Sequence, residues 1–400
     1  MYFSVNTSYK LSMLYSNFQD KKLSLLGFGA MRLPLCEDGS VDVAQTEEMM
    51  AYAFEHGVNY IDTAYPYHDG LSETIMGQIL SKYPRDSYYL ATKYPGHQIS
   101  ASYNPAEIFE HQLEKCGVDY FDFYLLHNVF ENSMETYLDP KWGILDYFKE
   151  QKRLGRIKHL GFSTHGSVDV IEEFLDRCGD DMEFCQIQLN YLDWTLQDAK
   201  AKYEMLTKRG IPVWVMEPVR GGKLVNLSEN NIAKLKELRP EESVASFGFR
   251  FLQKLPNVTM VLSGMSNMEQ MQDNIATFSS YKHLSDEETQ ILFDIADSMK
   301  NSIPCTSCRY CTKGCPMGLD IPKMISIYNE IRFAPGMNAA MRIELLPEEK
   351  KPSACIACGK CTTICPQGIE IPQVLRDFTL ALAKIPSWIE TSRQREAAQK

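Results

Sequence analysis

Between residues 23 and 278, short runs of apolar, β-branched and aromatic residues alternate with longer stretches whose apolar positions recur at helical spacing. Each short run predicts a buried strand, and each periodic stretch predicts a helix with one face on a core. The predicted strands cover residues 23–30, 57–61, 88–93, 121–126, 157–163, 184–189, 212–216 and 258–262. Helices are predicted over 43–56, 72–81, 105–116, 142–153, 168–177, 197–208, 232–237 with 244–253, and 267–278. Eight strand-then-helix units in about 255 residues is the size of a (β/α)8 TIM barrel, an α/β fold of one closed parallel sheet. A doubly wound open sheet is the alternative. It is disfavoured because no strand is followed by Gly-x-Gly-x-x-Gly with an acid about twenty residues on.

The pattern changes after residue 284. Ser285 and Glu288 stand at capping-box spacing, and Ile291, Leu292, Ile295, Ala296 and Met299 continue as one helix face. Two cysteine runs with a helical spacer follow, and a polar end reads as a frayed helix beyond Ser387. The division expected is an N-terminal extension, partly disordered, over 1–22; the barrel over 23–284; and a linker helix over 285–304. A small, mostly helical ferredoxin-like domain over 305–375 and a tail over 376–400 complete it.

Composition narrows the function classes. Of 400 residues, 44% are hydrophobic and 23% charged, as in a globular protein with a sizeable core. The net charge of −11 argues against nucleic acid or an anionic membrane as a partner. No apolar run approaches the roughly 18 residues that span a bilayer. Eight of the twelve cysteines fall in the last hundred residues, which is a metal pattern and implies a reducing, cytoplasmic setting.

Candidate chemistry gathers where predicted strands end. Asp62 closes the second strand, and Tyr67 sits on the turn after it. Lys93 closes the third strand and His127 follows the fourth. Each has a plain structural role available: helix cap, turn packing, surface strand end, satisfied core histidine. Together, on successive strand ends, they converge on the rim where barrels carry their active sites. A phenol, pKa about 10, can protonate a carbonyl oxygen if a neighbouring cation lowers its pKa. Gly27 and Gly29 within the first strand imply close approach of a ligand or another backbone. Tyr65, Tyr94, Tyr191 and Trp194 are candidates for a pocket lining.

The cysteine runs are more specific. Cys305, Cys308, Cys311 and Cys315-Pro316 repeat fifty residues on as Cys355, Cys358, Cys361 and Cys365-Pro366. This is the ferredoxin spacing for two [4Fe–4S] clusters, in which the fourth cysteine serves the other cluster. The assignment is Cys305, Cys308, Cys311 and Cys365 to one, and Cys355, Cys358, Cys361 and Cys315 to the other. Zinc also favours four-cysteine sites but seldom uses two identical runs.

These residues carry a resemblance. Gly27-Phe-Gly-Ala-Met-Arg-Leu-Pro34, Asp62-Thr-Ala-x-x-Tyr67-x-x-Gly70-x-Ser72-Glu73, Lys93 and Leu125-Leu-His127 resemble the aldo/keto reductase family. The resemblance covers residues 23–278, and residues 305–372 resemble a helical dicluster ferredoxin module. It implies hydride transfer between NADPH or NADH and an aldehyde or ketone, or the reverse from an alcohol. Tyr67 would be the general acid, Lys93, paired with Asp62, would lower its pKa, and His127 would orient the carbonyl and relay a proton.

The resemblance also places the dinucleotide against Gly29, Met31, Asp62, Ser163, Gln188, Glu217, Gly221, Gly222, Leu224, Gly264, Gln270, Asp273 and Asn274. Gly264, Met265 and Gln270 offer no charge to a 2′-phosphate, so NADH is expected to compete with NADPH far better than is usual in the family. The clusters would exchange electrons with an external redox protein or brace the fold. The rival function is an iron–sulfur electron-transfer or redox-sensing protein on a non-catalytic barrel. Because the cysteines follow the last barrel unit, carbonyl reduction is expected to be independent of them.

Overall fold

The structure, a computed structural model, describes residues 12–98, 100–300, 303, 305, 309–365 and 367–398. Eight parallel strands close a barrel in chain order: β3 (Leu26–Gly29), β4 (Tyr60–Asp62), β5 (Tyr89–Tyr94), β6 (Phe121–Leu126), β7 (Ile157–Thr164), β8 (Cys185–Gln188), β9 (Val213–Met216) and β10 (Val258–Ser263). β10 returns to pair with β3, Ser263 opposite Phe28. Inward-facing Tyr60, Phe123, Leu125, Phe184, Trp214, Met260 and Leu262 fill the interior as a packed core.

The first predicted strand starts three residues early and ends one late, because Gly29 is the last strand residue and Leu23 and Ser24 belong to a hairpin. Its strands β1 (Tyr15–Phe18) and β2 (Lys21–Ser24) are antiparallel and lie across the N-terminal ends of the barrel strands. Phe18 enters the barrel floor, its ring 5.1 Å from that of Trp214, and its burial contributes roughly 1.5–3 kcal/mol. Residues 12–22, expected as part of a partly disordered extension, are thus a plug. Residues 1–11 lie outside the described residues. The hairpin turn carries Gln19 at φ 53° in place of the usual Gly or Asn, which hides it from the sequence.

The helix Asp286–Met299 has the predicted capping box at Ser285 and Glu288, and it buries Leu292, Ile295 and Ala296 in the barrel's core. It is part of the barrel's outer layer, not a free linker. Beyond it the module shows its internal repeat in three dimensions. Arg309 and Gly359 both take left-handed backbone, as do Gly318 and Gly368, and the helices Ile321–Phe333 and Ile371–Leu382 begin fifty residues apart. A helix the sequence pattern missed, Met337–Glu344, lies between the repeats.

The module rests on the C-terminal face of the barrel. Gln197 donates to Glu330 at 2.8 Å, and the Arg220 guanidinium lies 4.9 Å above the Phe333 ring. The expected frayed tail is instead a docked helix, Trp388–Ala398. Ser387 caps it by accepting the Glu390 N–H at 3.1 Å, and Glu344 accepts the Trp388 N–H at 2.7 Å. The Trp388 side chain is 5% exposed and packs with Phe130 and Met341. The helices that follow the first cysteine run therefore reach the rim, despite their separation from it in sequence.

Candidate active site

Asp62, Tyr67, Lys93 and His127 meet at the barrel mouth. Lys93 projects from β5 and is fully buried. Its Nζ donates to Asp62 Oδ1 at 2.5 Å, to the Thr63 carbonyl at 2.7 Å and to the Tyr67 hydroxyl at 3.3 Å. The Tyr67 ring meets the His127 ring edge-on at 6.0 Å.

The segment that carries Tyr67 is held from both sides. Thr63 Oγ1 and Ser72 Oγ share a hydrogen bond at 2.8 Å, and Ser72 Oγ donates to the Ala30 carbonyl at 3.0 Å. Glu73, wholly buried, pairs with Lys115 at 2.8 Å and accepts from Thr92 and Gln112. Those anchors hold His68 and Asp69 in left-handed conformations, at φ 50° and 54°, which a free loop would avoid.

Electrostatics differ from the simplest expectation in two places. Burial raises the Tyr67 pKa above the ordinary phenol value; Lys93 pulls it down, as expected, but only in part. Burial opposes charge on Lys93, yet Asp62 and Tyr67 outweigh it and hold the ammonium charged. His127 is pushed well below the ordinary imidazole value by burial and by His97, Lys93 and His165. It is neutral at pH 7, so it can donate or accept one hydrogen bond without carrying a net proton.

Asp62, Tyr67 and His127 floor a cavity of about 1230 Å³ lined by both barrel and module, with Lys93 buried behind them. Of the positions expected to hold a dinucleotide, Gly29, Met31, Asp62, Ser163, Gln188, Glu217, Gly221, Gly222, Gly264, Gln270, Asp273 and Asn274 all line it. Leu224 does not: its side chain is in the barrel core and its N–H donates to the Val219 carbonyl. Tyr65, Tyr94, Tyr191 and Trp194 are likewise packing residues outside the lining. At Gly29 a Cβ would stand 3.3 Å from the Ser263 carbonyl, which accounts for glycine where two strands end side by side.

The donor set fits a carboxamide at the tetrad end. Ser163 Oγ accepts the Asn128 N–H at 2.8 Å, which leaves its own hydroxyl proton to donate. The Gln188 amide nitrogen donates to Asp193 Oδ2 at 2.8 Å, which leaves its oxygen to accept. At the other end Arg32, absent from the sequence-based set, pairs with Glu217 at 2.9 Å. Its guanidinium closes over Gly221, where a Cβ would meet Nη2 at 2.8 Å, and its stem lies against Gly264. Only the folded structure brings this post-β3 loop beside the post-β9 loop.

In the module, Cys315, Cys355, Cys358 and Cys361 line one small pocket, so the fourth cysteine of the first run stands with the first three of the second. Cys305, Cys311 and Cys365 pack around the same module core, while Cys308 lies outside the described residues.

Residues 25–297 match the profile of the Aldo/keto reductase family. The chain belongs to that family. Residues 304–370 match the 4Fe-4S dicluster domain, so this aldo/keto reductase is an oxidoreductase carrying an iron–sulfur module. It is 23% identical over 329 residues to the NADH-specific methylglyoxal reductase of Escherichia coli, covering 70% of this chain and 97% of that one. It is 26% identical over 300 residues to the L-galactose dehydrogenase of Arabidopsis thaliana, covering 67% and 88%. The solved structure of an aldo-keto reductase from Bacillus halodurans in its holo form superposes with a TM-score of 0.58 at 25% identity, covering 71% of this chain and 96% of that one. Among the described residues no helix is long and apolar enough to cross a membrane.

Proposed function

We propose that this reductase transfers hydride between a nicotinamide dinucleotide and the carbonyl carbon of an aldehyde or ketone, or back from the alcohol. The observation that supports it most is the Lys93 ammonium shared by Asp62 and Tyr67 at a cavity floor that His127 also lines. A bound nicotinamide supplies the hydride. Ser163 and Gln188 hold its carboxamide; Glu217, Gly221 and Gly222, with Arg32 above them, flank the pyrophosphate; Gly264, Gln270, Asp273 and Asn274 face the adenosine end.

The protein supplies the proton. Burial keeps the Tyr67 phenol protonated at neutral pH, and the Lys93 ammonium beside it stabilises the phenolate left once the proton has passed to the carbonyl oxygen. Asp62 fixes Lys93 by its ion pair. His127, neutral, orients the carbonyl oxygen through a ring N–H; of the two roles the resemblance implied, orienting the carbonyl and relaying a proton, its lowered pKa favours the first.

NADH is an accepted donor in this reading. Gly264, Met265 and Gln270 carry no charge for a 2′-phosphate, and Arg32, the guanidinium against Gly264, is already paired with Glu217. The related Escherichia coli protein is named NADH-specific. The test is a titration of the full chain with NADH and with NADPH, followed by turnover of a panel of aldehydes and ketones. One nucleotide bound per chain and nicotinamide-dependent reduction of at least one carbonyl are expected. A chain that binds neither nucleotide would favour the rival, an iron–sulfur electron carrier on an idle barrel.

The module in this proposal holds two [4Fe–4S] clusters, ligated crosswise, that exchange single electrons with an external redox protein. Protein purified without oxygen should hold about eight iron atoms per chain. Cys315→Ala should leave about four, and its remaining spectrum should match that of Cys355→Ala and differ from that of Cys305→Ala. A Cys315→Ala spectrum matching Cys305→Ala would refute the crossed assignment.

A further inference from the structure

The wall that the module adds to the cavity has a charge character of its own. Lys202, on the helix Ala199–Lys208, lines the cavity at 8% exposure, and its ammonium makes no hydrogen bond or ion pair among the described residues. Arg342, on the helix Met337–Glu344, faces the same space; it donates to Glu330 at 2.6 Å while its Nε stays buried without a partner. Arg395 of the last helix lines the wall too, and the buried Trp388 Nε1 has no acceptor. Among the described module residues on this wall Glu330 is the one acid, and it already accepts from both Arg342 and Gln197.

This wall is continuous with the tetrad. The His97 ring stands 4.4 Å from that of His127 and stacks on Trp388 at 5.7 Å. Burial depresses His97 to about 3, helped by His165 and Arg395; burial depresses His165 likewise to about 3, helped by Lys202 and Arg342. Both rings are therefore neutral, and the charges acting on them are positive. The surfaces assigned to the dinucleotide lie largely on the loops after β3, β9 and β10, whereas His97, His127, His165 and Lys202 follow β5, β6, β7 and β8. Burial and the nearby Arg342 push the Lys202 pKa down, against the pull of Glu330, Glu131 and Asp198, none of which makes a direct ion pair with it among the described residues. A buried ammonium with no direct partner costs several kcal/mol. A set of such donors converging on open space is placed to receive an anion.

We propose that Lys202, Arg342 and Arg395 bind an anionic group, carboxylate or phosphate, carried by the carbonyl substrate whose reacting end sits at Tyr67 and His127. The proposal rests on the carbonyl chemistry above and narrows its substrate class to aldehydes and ketones bearing a second, negatively charged end. It makes the iron–sulfur module a supplier of specificity side chains to the barrel.

The test compares kcat/KM, in the full cluster-loaded chain, for 4-oxobutanoate against butanal and for glyceraldehyde 3-phosphate against glyceraldehyde. At least one anionic member should be favoured by about tenfold or more, and the pair that shows it tells carboxylate from phosphate. Lys202→Gln should shrink that preference about tenfold and Lys202→Arg should keep it. If Lys202→Gln does not fold, Arg395→Gln reads the same preference. No preference for either anion, or a preference unchanged in Lys202→Gln, overturns the proposal. Should no carbonyl be turned over at all, the carbonyl chemistry fails and the anion site is read separately, by calorimetric titration of the full chain with succinate and with inorganic phosphate. Saturable binding that Lys202→Gln weakens supports the site; no saturable binding of either ion refutes it.

Discussion

Tyr67→Phe lowers carbonyl turnover by about 10²–10⁴-fold and leaves nicotinamide binding within about a factor of two. The hydroxyl is the only part of the side chain removed, and in the structure it touches Lys93 at 3.3 Å and faces the cavity. The loop that carries it is fixed by Thr63, Ser72 and Glu73, none of which the substitution disturbs. Steady-state rates, with nucleotide affinity by fluorescence titration, are the measurement. Turnover within about twofold of the parent would remove Tyr67 from the chemistry.

A chain ending at residue 385 keeps every cysteine but loses Trp388 and its helix. We expect its iron content and far-ultraviolet dichroism to stay near those of the full chain. Its kcat/KM for carbonyl substrate should fall about tenfold or more. Trp388 closes the cavity over His97 and packs with Phe130 and Met341; without it water enters beside His127. Water weakens each electrostatic contact that a dry site makes strong, and it loosens the placement of the carbonyl. Unchanged kcat/KM would show the helix to be a bystander. The expected loss arises in a segment that the sequence reads as a frayed polar tail, and not in the cysteines themselves.

The parts legible in the sequence were those with strong local signals. Barrel strands announced themselves as apolar runs, and β6 is bounded as expected at both ends because Phe121 to Leu126 are all buried. The helices Pro105–Cys116 and Val244–Gln253 carry their start signals in Asn104 and Ser243. What stayed hidden depends on tertiary context. Lys202, three residues past the start of an ordinary amphipathic helix, looks like a solvent-facing lysine until the module covers it. Arg32 gains its role only when the loop bearing Glu217 folds beside it. The last helix looked frayed because it is polar around its circumference, although Ser387 and Glu390 stand at capping spacing ahead of one buried tryptophan. Leu224 shows the reverse error: it lies in a glycine-rich loop stretch that otherwise faces the cavity, yet its own side chain turns into the core.

The hairpin plug and the docked last helix occupy opposite ends of the barrel, and this decides how the molecule is best handled. An affinity handle joined ahead of Tyr15 sits beyond Phe18 and the barrel floor, far from Tyr67. The same handle joined after the last helix hangs at the rim beside Arg395, where a polyhistidine would compete for iron during cluster assembly and crowd the entrance. Immobilisation on a surface favours the same geometry: tethering by the hairpin end leaves the module and its exposed Cys358 on the far side of the barrel.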